Sequence, residues 1–315
     1  MTPTSAAVLS DRDQQNLREP DATVKPRVHR RSPMEYFAWV CCALVALGVV
    51  RTLITNENYQ WDVVAQYVTA ETVLRGLVMT VVLTILCMTF GALLGLFIAV
   101  LRVSPLRPVR ILAGAYVTFF RGTPVLVQLI FWFNIAALYP HLAIGIPFTD
   151  VSQDIDVNRL ISATTAAVVG LSLNQAAYQA EIFRGGFASV DKGQIEAADS
   201  LGMSRGTKLR RIIVPQSMPT IVPATGNQFI GMFKETSLVS VLGVGELLMS
   251  VQLIYARTYQ TIPLLIVACV WYLVMTLLLS YPQSMIEKKF SRTRARVSNG
   301  PAVGPTQSEL MGEGK

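Results

Sequence analysis

Six nearly uncharged stretches constrain this 315-residue chain more than any other feature: residues 36–54, 77–101, 111–138, 160–180, 221–242 and 262–281. A hydrocarbon core of roughly 30 Å needs about 20 consecutive apolar residues in a helix, and each stretch meets or approaches that length. The pattern predicts an all-α, polytopic transmembrane helical bundle. The fifth stretch fits least well because it contains Lys234 and Glu235.

Composition and charge agree with a membrane protein. Apolar residues make up 52% of the chain and charged residues only 15%, far from the balance of soluble domains. Cys41, Cys42, Cys87 and Cys269 all fall in apolar stretches. That placement predicts buried thiols, not a disulfide framework or a zinc site. The net charge of +7 does not indicate nucleic acid, since the basic residues are scattered and carry no interleaved aromatic platform.

Charge placement instead reports topology. With a cytoplasmic amino terminus, the inner segments 1–35, 102–110, 181–214 and 282–315 hold 21 of the 27 Lys and Arg residues, and only Arg75, Arg159 and Arg257 lie in outer loops. This is the positive-inside bias, and it predicts a multi-pass protein of the cell (inner) membrane with both termini cytoplasmic. The outer loops are acidic, with Glu57, Asp62 and Glu71 in the first and Asp150, Asp154 and Asp156 in the second. The first apolar stretch follows a 35-residue polar leader without a clear small-residue cleavage site, so it is expected to be an anchor and not a signal peptide. Leader 1–35 and tail 291–315 are polar with scattered Pro or Gly, and disorder is expected in both. No internal repeat is visible.

Between the fourth and fifth stretches lies KGQIEAADSLGMS, residues 192–204. Asp191 followed by Gln194 makes a capping box and predicts a short helix carrying Ile195, Ala198 and Leu201 to one side. Gly202 supplies a left-handed stop. Ser204 caps a second helix with Leu209, Ile212 and Ile213 on one face, which Pro215 is expected to end. Ala197 and Ala198 permit close approach of another protein, and Glu196 can orient a basic partner. The alternative is an amphipathic loop lying on lipid headgroups.

Residues Glu196, Ala197, Ala198 and Gly202, followed by Ile212 and Pro215, resemble the EAA motif of ATP-binding-cassette importer permeases, with Val214 in place of the usual leucine. FFRGTPVLVQ (119–128), AYQAEIFRGG (177–186) and FKETSLVSVLGVGEL (233–247) resemble segments of the polar amino-acid uptake permeases in that superfamily, over roughly residues 71–290. The resemblance implies a type I importer permease fold with about five core spans at 71–290, so that 36–54 is an extra anchor. It implies that the coupling helices at 191–214 insert into a groove of a separate ATPase, with Glu196, Ala197, Ala198, Asp199 and Gly202 at the contact. It also implies an extracytoplasmic amino-acid-binding protein, a second permease chain and a polar amino acid as cargo. Surrounding lipid follows from the spans.

No G-x-x-x-x-G-K-[ST] phosphate loop occurs, and the one Gly-Lys pair, Gly314 and Lys315, has no hydroxyl residue after it. With two histidines and no nucleophile elbow, no catalytic constellation or metal cluster can be assembled. The chain reads as a transport subunit and not an enzyme. It has no cofactor of its own, and ATP and Mg are expected on the partner ATPase.

Candidate substrate-path residues fall in three groups. Asn174, Tyr178 and Glu181 continue a helix face from Gly170, which either faces a watery path or glues helices together. Lys234 and Glu235 are roughly 100° apart on a helix and cannot pair as i,i+4 residues do. Either they line a hydrated cavity or subunit contact with Thr236 and Ser237, or they sit near the surface. Arg121, just before Thr123 and Pro124, either attracts a substrate carboxylate or bonds carbonyls freed by the proline. Two other classes compete with the importer reading: an autonomous ion-driven transporter or channel, and a non-transporting scaffold.

Overall fold

The computed structural model describes residues 33–145 and 152–298, and the chain divides into two compact units, residues 1–57 and 58–315. In the first, α1 (Pro33–Thr55) is a 23-residue apolar helix that buries none of its residues. Thr52 and Thr55 donate their hydroxyls to the Gly48 and Arg51 carbonyls at 2.9 Å, so neither hydroxyl needs a partner outside the helix.

Among the described residues, the second unit is a helical bundle with one small hairpin. In chain order come α2 (Trp61–Val68), α3 (Glu71–Arg102), α4 (Arg107–Gly122), α5 (Val125–Phe133), β1 (His141–Gly145), β2 (Ser152–Asp156), α6 (Val157–Leu160) and α7 (Ala163–Ala188). Then follow α8 (Lys192–Ser200), α9 (Arg205–Lys208), a π turn (Leu209–Ile213), α10 (Val214–Glu235), a 3-10 segment (Thr236–Leu242), α11 (Leu247–Thr258) and α12 (Thr261–Ser298). β1 and β2 pair antiparallel, from His141 with Asp156 to Gly145 with Ser152.

The inward face of α3 carries its small residues alongside Val73, Leu83 and Ile98. Thr80, Thr84, Cys87, Gly91 and Gly95 are buried, whereas Leu86, Phe90, Leu93 and Phe97 are exposed. Lipid tails are as apolar as leucine, so helices associate where small residues let backbones approach. Gly91 and Gly95 meet α7: a Cβ at Gly95 would lie 2.6 Å from Gln179 Cβ and 2.8 Å from the Ala176 carbonyl oxygen. α7, 26 residues long, is the central helix and packs against α3, α4, α5 and α10. Leu83, Cys87, Leu129, Ala167, Leu171 and Met232 form one core cluster, and Val73, Leu247, Val251, Leu264 and Val267 a second.

Several expectations are corrected. The stretch 111–138 is not one continuous helix: it breaks between α4 and α5 with a bend of 103°, because Pro124 removes a backbone donor and Thr123 turns extended. The stretch 221–242 is the C-terminal part of a longer limb that begins at Arg205, and a 45° bend separates this limb from α11. Pro215 does not end a helix. The π turn before it, closed by the Val214 N–H to the Leu209 carbonyl, changes the bonding register where the proline ring would otherwise clash, and α10 continues through Pro219 and Pro223. Among the described residues, α1, α3 and α12 are long and apolar enough to cross a membrane, and the count rises to five if each bent pair is one span. α7, from the fourth apolar stretch, is less apolar and buries 12 of its 26 residues against the other helices.

All four cysteines are free, but only Cys87 is buried; Cys42 and Cys269 are exposed and Cys41 is half-buried. α12 runs on to Ser298, so residues 291–298 of the expected disordered tail are helical, as are Pro33 to Glu35 of the leader. The rest of both segments lies outside the described residues, as do residues 146–151 of the second acidic loop.

Candidate functional site

The polar loop is closed by its own backbone. Asp191 accepts the Gln194 N–H at 3.2 Å. At the other end of α8 the Gly202 N–H reaches the Asp199 carbonyl at 3.0 Å and the Met203 N–H reaches the Ala198 carbonyl at 3.1 Å. This double closure requires a left-handed residue, and Gly202 sits at φ +67°. Ser204 then caps α9 by accepting the Thr207 N–H at 3.3 Å. Lys208 forms an ion pair with Asp199 across the turn, tying the two short helices together.

Within this loop Glu196, Ala197 and Asp199 are exposed, while Ala198 is buried. Ala198 therefore seats the helix and is not part of the surface offered outward. Leu201 does not join Ile195 and Ala198 on one side; as the residue that ends α8 it turns away and is 80% exposed.

The break after α4 forms a second polar centre. Pro124 cannot bond the carbonyl four residues before it, that of Phe120. Two amides take that bond instead: Asn174 Nδ2 at 2.8 Å and Gln128 Nε2 at 3.0 Å. Asn174 also donates to Gln128 Oε1 at 3.1 Å, and Gln128 Nε2 lies 2.7 Å from Thr123 Oγ1. Asn174 thus holds helices together, and Arg121 does not bond the freed Phe120 carbonyl. Arg121 is exposed, with its guanidinium 5.3 Å from the centre of the Tyr178 ring, within range of a cation–π contact.

Glu181 accepts an ion pair from Arg102 at the end of α3 and another from Arg184 at 2.8 Å. It is compensated twice over and does not present a free charge. Lys234 is exposed and Glu235 half-buried at the end of α10. The Thr236 and Ser237 hydroxyls donate to the Phe233 and Lys234 carbonyls at 2.8 and 2.7 Å. Those two hydroxyls serve the helix end and are committed locally.

The structure therefore does not gather the predicted path residues into one cluster: Asn174, Tyr178 and Arg121 meet at the α4 break, Glu181 lies among arginines, and Lys234 to Ser237 lie at the end of α10. Sequence reasoning missed Gln128 and Glu246, although FFRGTPVLVQ and FKETSLVSVLGVGEL contain them. It also missed the buried amides of Gln175 and Gln179 on α7, whose nitrogens have no partner among the described residues.

Comparison with known proteins gives concordant results. Residues 91–292 match the family described as binding-protein-dependent transport system inner membrane component. The arginine transport system permease protein ArgU of Corynebacterium glutamicum is 36% identical over 282 residues, 87% of each chain. The arginine transport system permease protein ArtQ of Bacillus subtilis is 34% identical over 69% of this chain and 91% of its own. A crystal structure of an amino acid ABC transporter with histidines superposes with a TM-score of 0.60 at 39% identity, covering 69% of this chain and 94% of that one. An inward-facing MetNI methionine ABC transporter, 18% identical, shares the fold with a TM-score of 0.58.

Proposed function

This chain belongs to the family of binding-protein-dependent transport system inner membrane components, and from that premise we propose how its residues divide the work of importing a polar amino acid. It is a membrane-spanning transport subunit and not an enzyme. The α8–α9 loop docks on a separate P-loop ATPase, where ATP and Mg act. Both termini and this loop face the cytoplasm, in keeping with the clustering of basic residues. An extracytoplasmic binding protein delivers the amino acid, and a second permease chain completes the path.

The observation that carries this reading is the coupling loop itself: a helix capped by Asp191, closed at Gly202 and pinned by Asp199 to Lys208, which presents Glu196, Ala197 and Leu201 to a partner. A loop resting on lipid headgroups has no need of such pre-organisation, whereas a lever that transmits force does. Glu196 orients a basic side chain on the ATPase, and Leu201 supplies apolar contact.

For the path we assign Arg121 with Tyr178 to the substrate carboxylate. Asn174 and Gln128 already satisfy the Phe120 carbonyl, which leaves the Arg121 guanidinium to meet an anionic group. Lys234 and Glu235 belong to the path or to the contact with the second permease chain. Glu181, Thr236 and Ser237 shape their helix ends. The ion-driven alternative has no specific observation in its favour. Purification in mild detergent with identification of partners, for wild type and Glu196→Arg, tests the assignment. We expect wild type to recover a P-loop ATPase and the variant to lose at least ten-fold of it. Recovery of no ATPase by well-folded wild type would overturn the reading.

A further inference from the structure

The end of the motif segment 233–247 contains a fully buried carboxylate that plays no part in the scheme above. Glu246 has no exposed surface and precedes α11. Its Oε1 accepts the Met249 N–H at 2.7 Å, and its Oε2 accepts the Leu248 N–H at 2.9 Å and the Tyr272 O–H at 2.9 Å. A serine or threonine cap satisfies a helix start through one oxygen. A carboxylate has two, so Glu246 caps α11 and holds α12 in the same contact.

The remaining helix-start donor reaches a third element. The Leu247 N–H donates to Thr80 Oγ1 on α3 at 3.1 Å. α3 comes so close here that a Cβ at Gly76 would lie 2.3 Å from Ser250 Oγ and 2.9 Å from the Glu246 carbonyl oxygen. Tyr272 links the clasp to a fourth element: its ring packs edge-on against Phe233 with centroids 5.7 Å apart. Phe233 lies near the end of α10, in the limb that runs without interruption from the α8–α9 loop. Between Phe233 and Glu246 the chain contains Gly243 at φ +80°, and the limb meets α11 at 45°.

We propose that Glu246 is a positioning residue for import: the clasp it forms with Tyr272 and Thr80 fixes α11 to α3 and α12, so that force from the coupling loop turns the Arg205–Leu242 limb about the Gly243 bend and does not drag α11 along. The proposal rests on the importer reading. Without the clasp, movement of the limb dissipates in α11, and ATP is hydrolysed without a matching change at the path.

The test uses the complete importer, with its ATPase and binding protein, reconstituted in proteoliposomes. Amino-acid uptake and ATP hydrolysis are measured together for wild type, Glu246→Gln and Tyr272→Phe. Glu246→Gln replaces one acceptor oxygen with an NH2 group that cannot accept the same donors; Tyr272→Phe removes only the hydroxyl and keeps the ring. In both variants, uptake per ATP hydrolysed should fall at least five-fold, with ATPase recovery and basal hydrolysis within two-fold of wild type. Glu246→Asp, which retains both oxygens, should restore part of the ratio. An unchanged ratio in Tyr272→Phe, or uptake and hydrolysis falling together, would overturn the clasp and leave Glu246 a structural cap. Absence of ATP-dependent uptake in wild type would instead refute the importer reading beneath it.

Discussion

Replacing Gly95 with alanine probes the contact that holds the centre of the bundle. The added Cβ would lie 2.6 Å from Gln179 Cβ, 2.8 Å from the Ala176 carbonyl oxygen and 3.1 Å from the Ala180 nitrogen. Two of these three are backbone atoms of α7 and cannot rotate away. Carbon–carbon contacts settle at about 3.5–4.0 Å, so the two helices must part by about 1 Å at this level. Overpacking of this kind costs about 1–3 kcal/mol, which corresponds to roughly 2–12 °C of melting temperature by the scaling for soluble domains of 150–250 residues. Gly185→Ala is the control, because a Cβ there meets nothing within 4 Å and alanine favours the helix. Thermal unfolding in detergent should show Gly95→Ala several degrees below wild type and Gly185→Ala at or above it. Equal melting temperatures for the two variants would refute the argument that close approach of α3 and α7 sets the stability of the bundle.

Substitutions at Asn174, Gln128 and Gly202 test the broken helix and the loop. Asn174→Leu removes a buried donor from the Phe120 carbonyl and from Gln128, costing about 1–3 kcal/mol. Because both amides serve one carbonyl, a double-mutant cycle with Gln128→Leu should show coupling of about 0.5–3 kcal/mol, and strict additivity would contradict the shared bond. At Gly202, a Cβ meets nothing within 4 Å but the backbone is left-handed at φ +67°, so conformation alone decides. Gly202→Val should strain the turn by about 1–3 kcal/mol and weaken ATPase recovery, while Gly202→Asn, tolerant of that conformation, retains most of it. Equal loss in both would sink the conformational argument.

Local chemistry was legible where it acts through neighbouring residues. The Asp191 cap, the Gly202 stop and the Ser204 cap each depend on a side chain reaching a backbone atom within a few positions, and all three form as the sequence predicts. Pro124 was legible as a disturbance but not as a 103° break, since the outcome depended on Asn174, 50 residues away, receiving the orphaned Phe120 carbonyl. The predicted polar face at Asn174, Tyr178 and Glu181 rested on helical spacing. It divides between helix glue, a cation–π contact and a doubly paired carboxylate because different neighbours meet each turn.

The sequence by itself determined which segments are apolar enough for a membrane and which loop carries the capped pair of short helices. Transfer from water to lipid depends on a segment's own composition, and caps and turns depend on adjacent residues. The tertiary structure decided which face of each span turns inward, where the spans break and what partner each buried polar group finds. In lipid, hydrophobicity does not separate inside from outside: Phe90 and Gly91 are neighbours in an apolar run, yet the large ring faces outward and the glycine faces the core. That choice depends on the shape of α7 opposite, as the pairing of Glu246 depends on α3 and α12, and neither can be read from a segment alone.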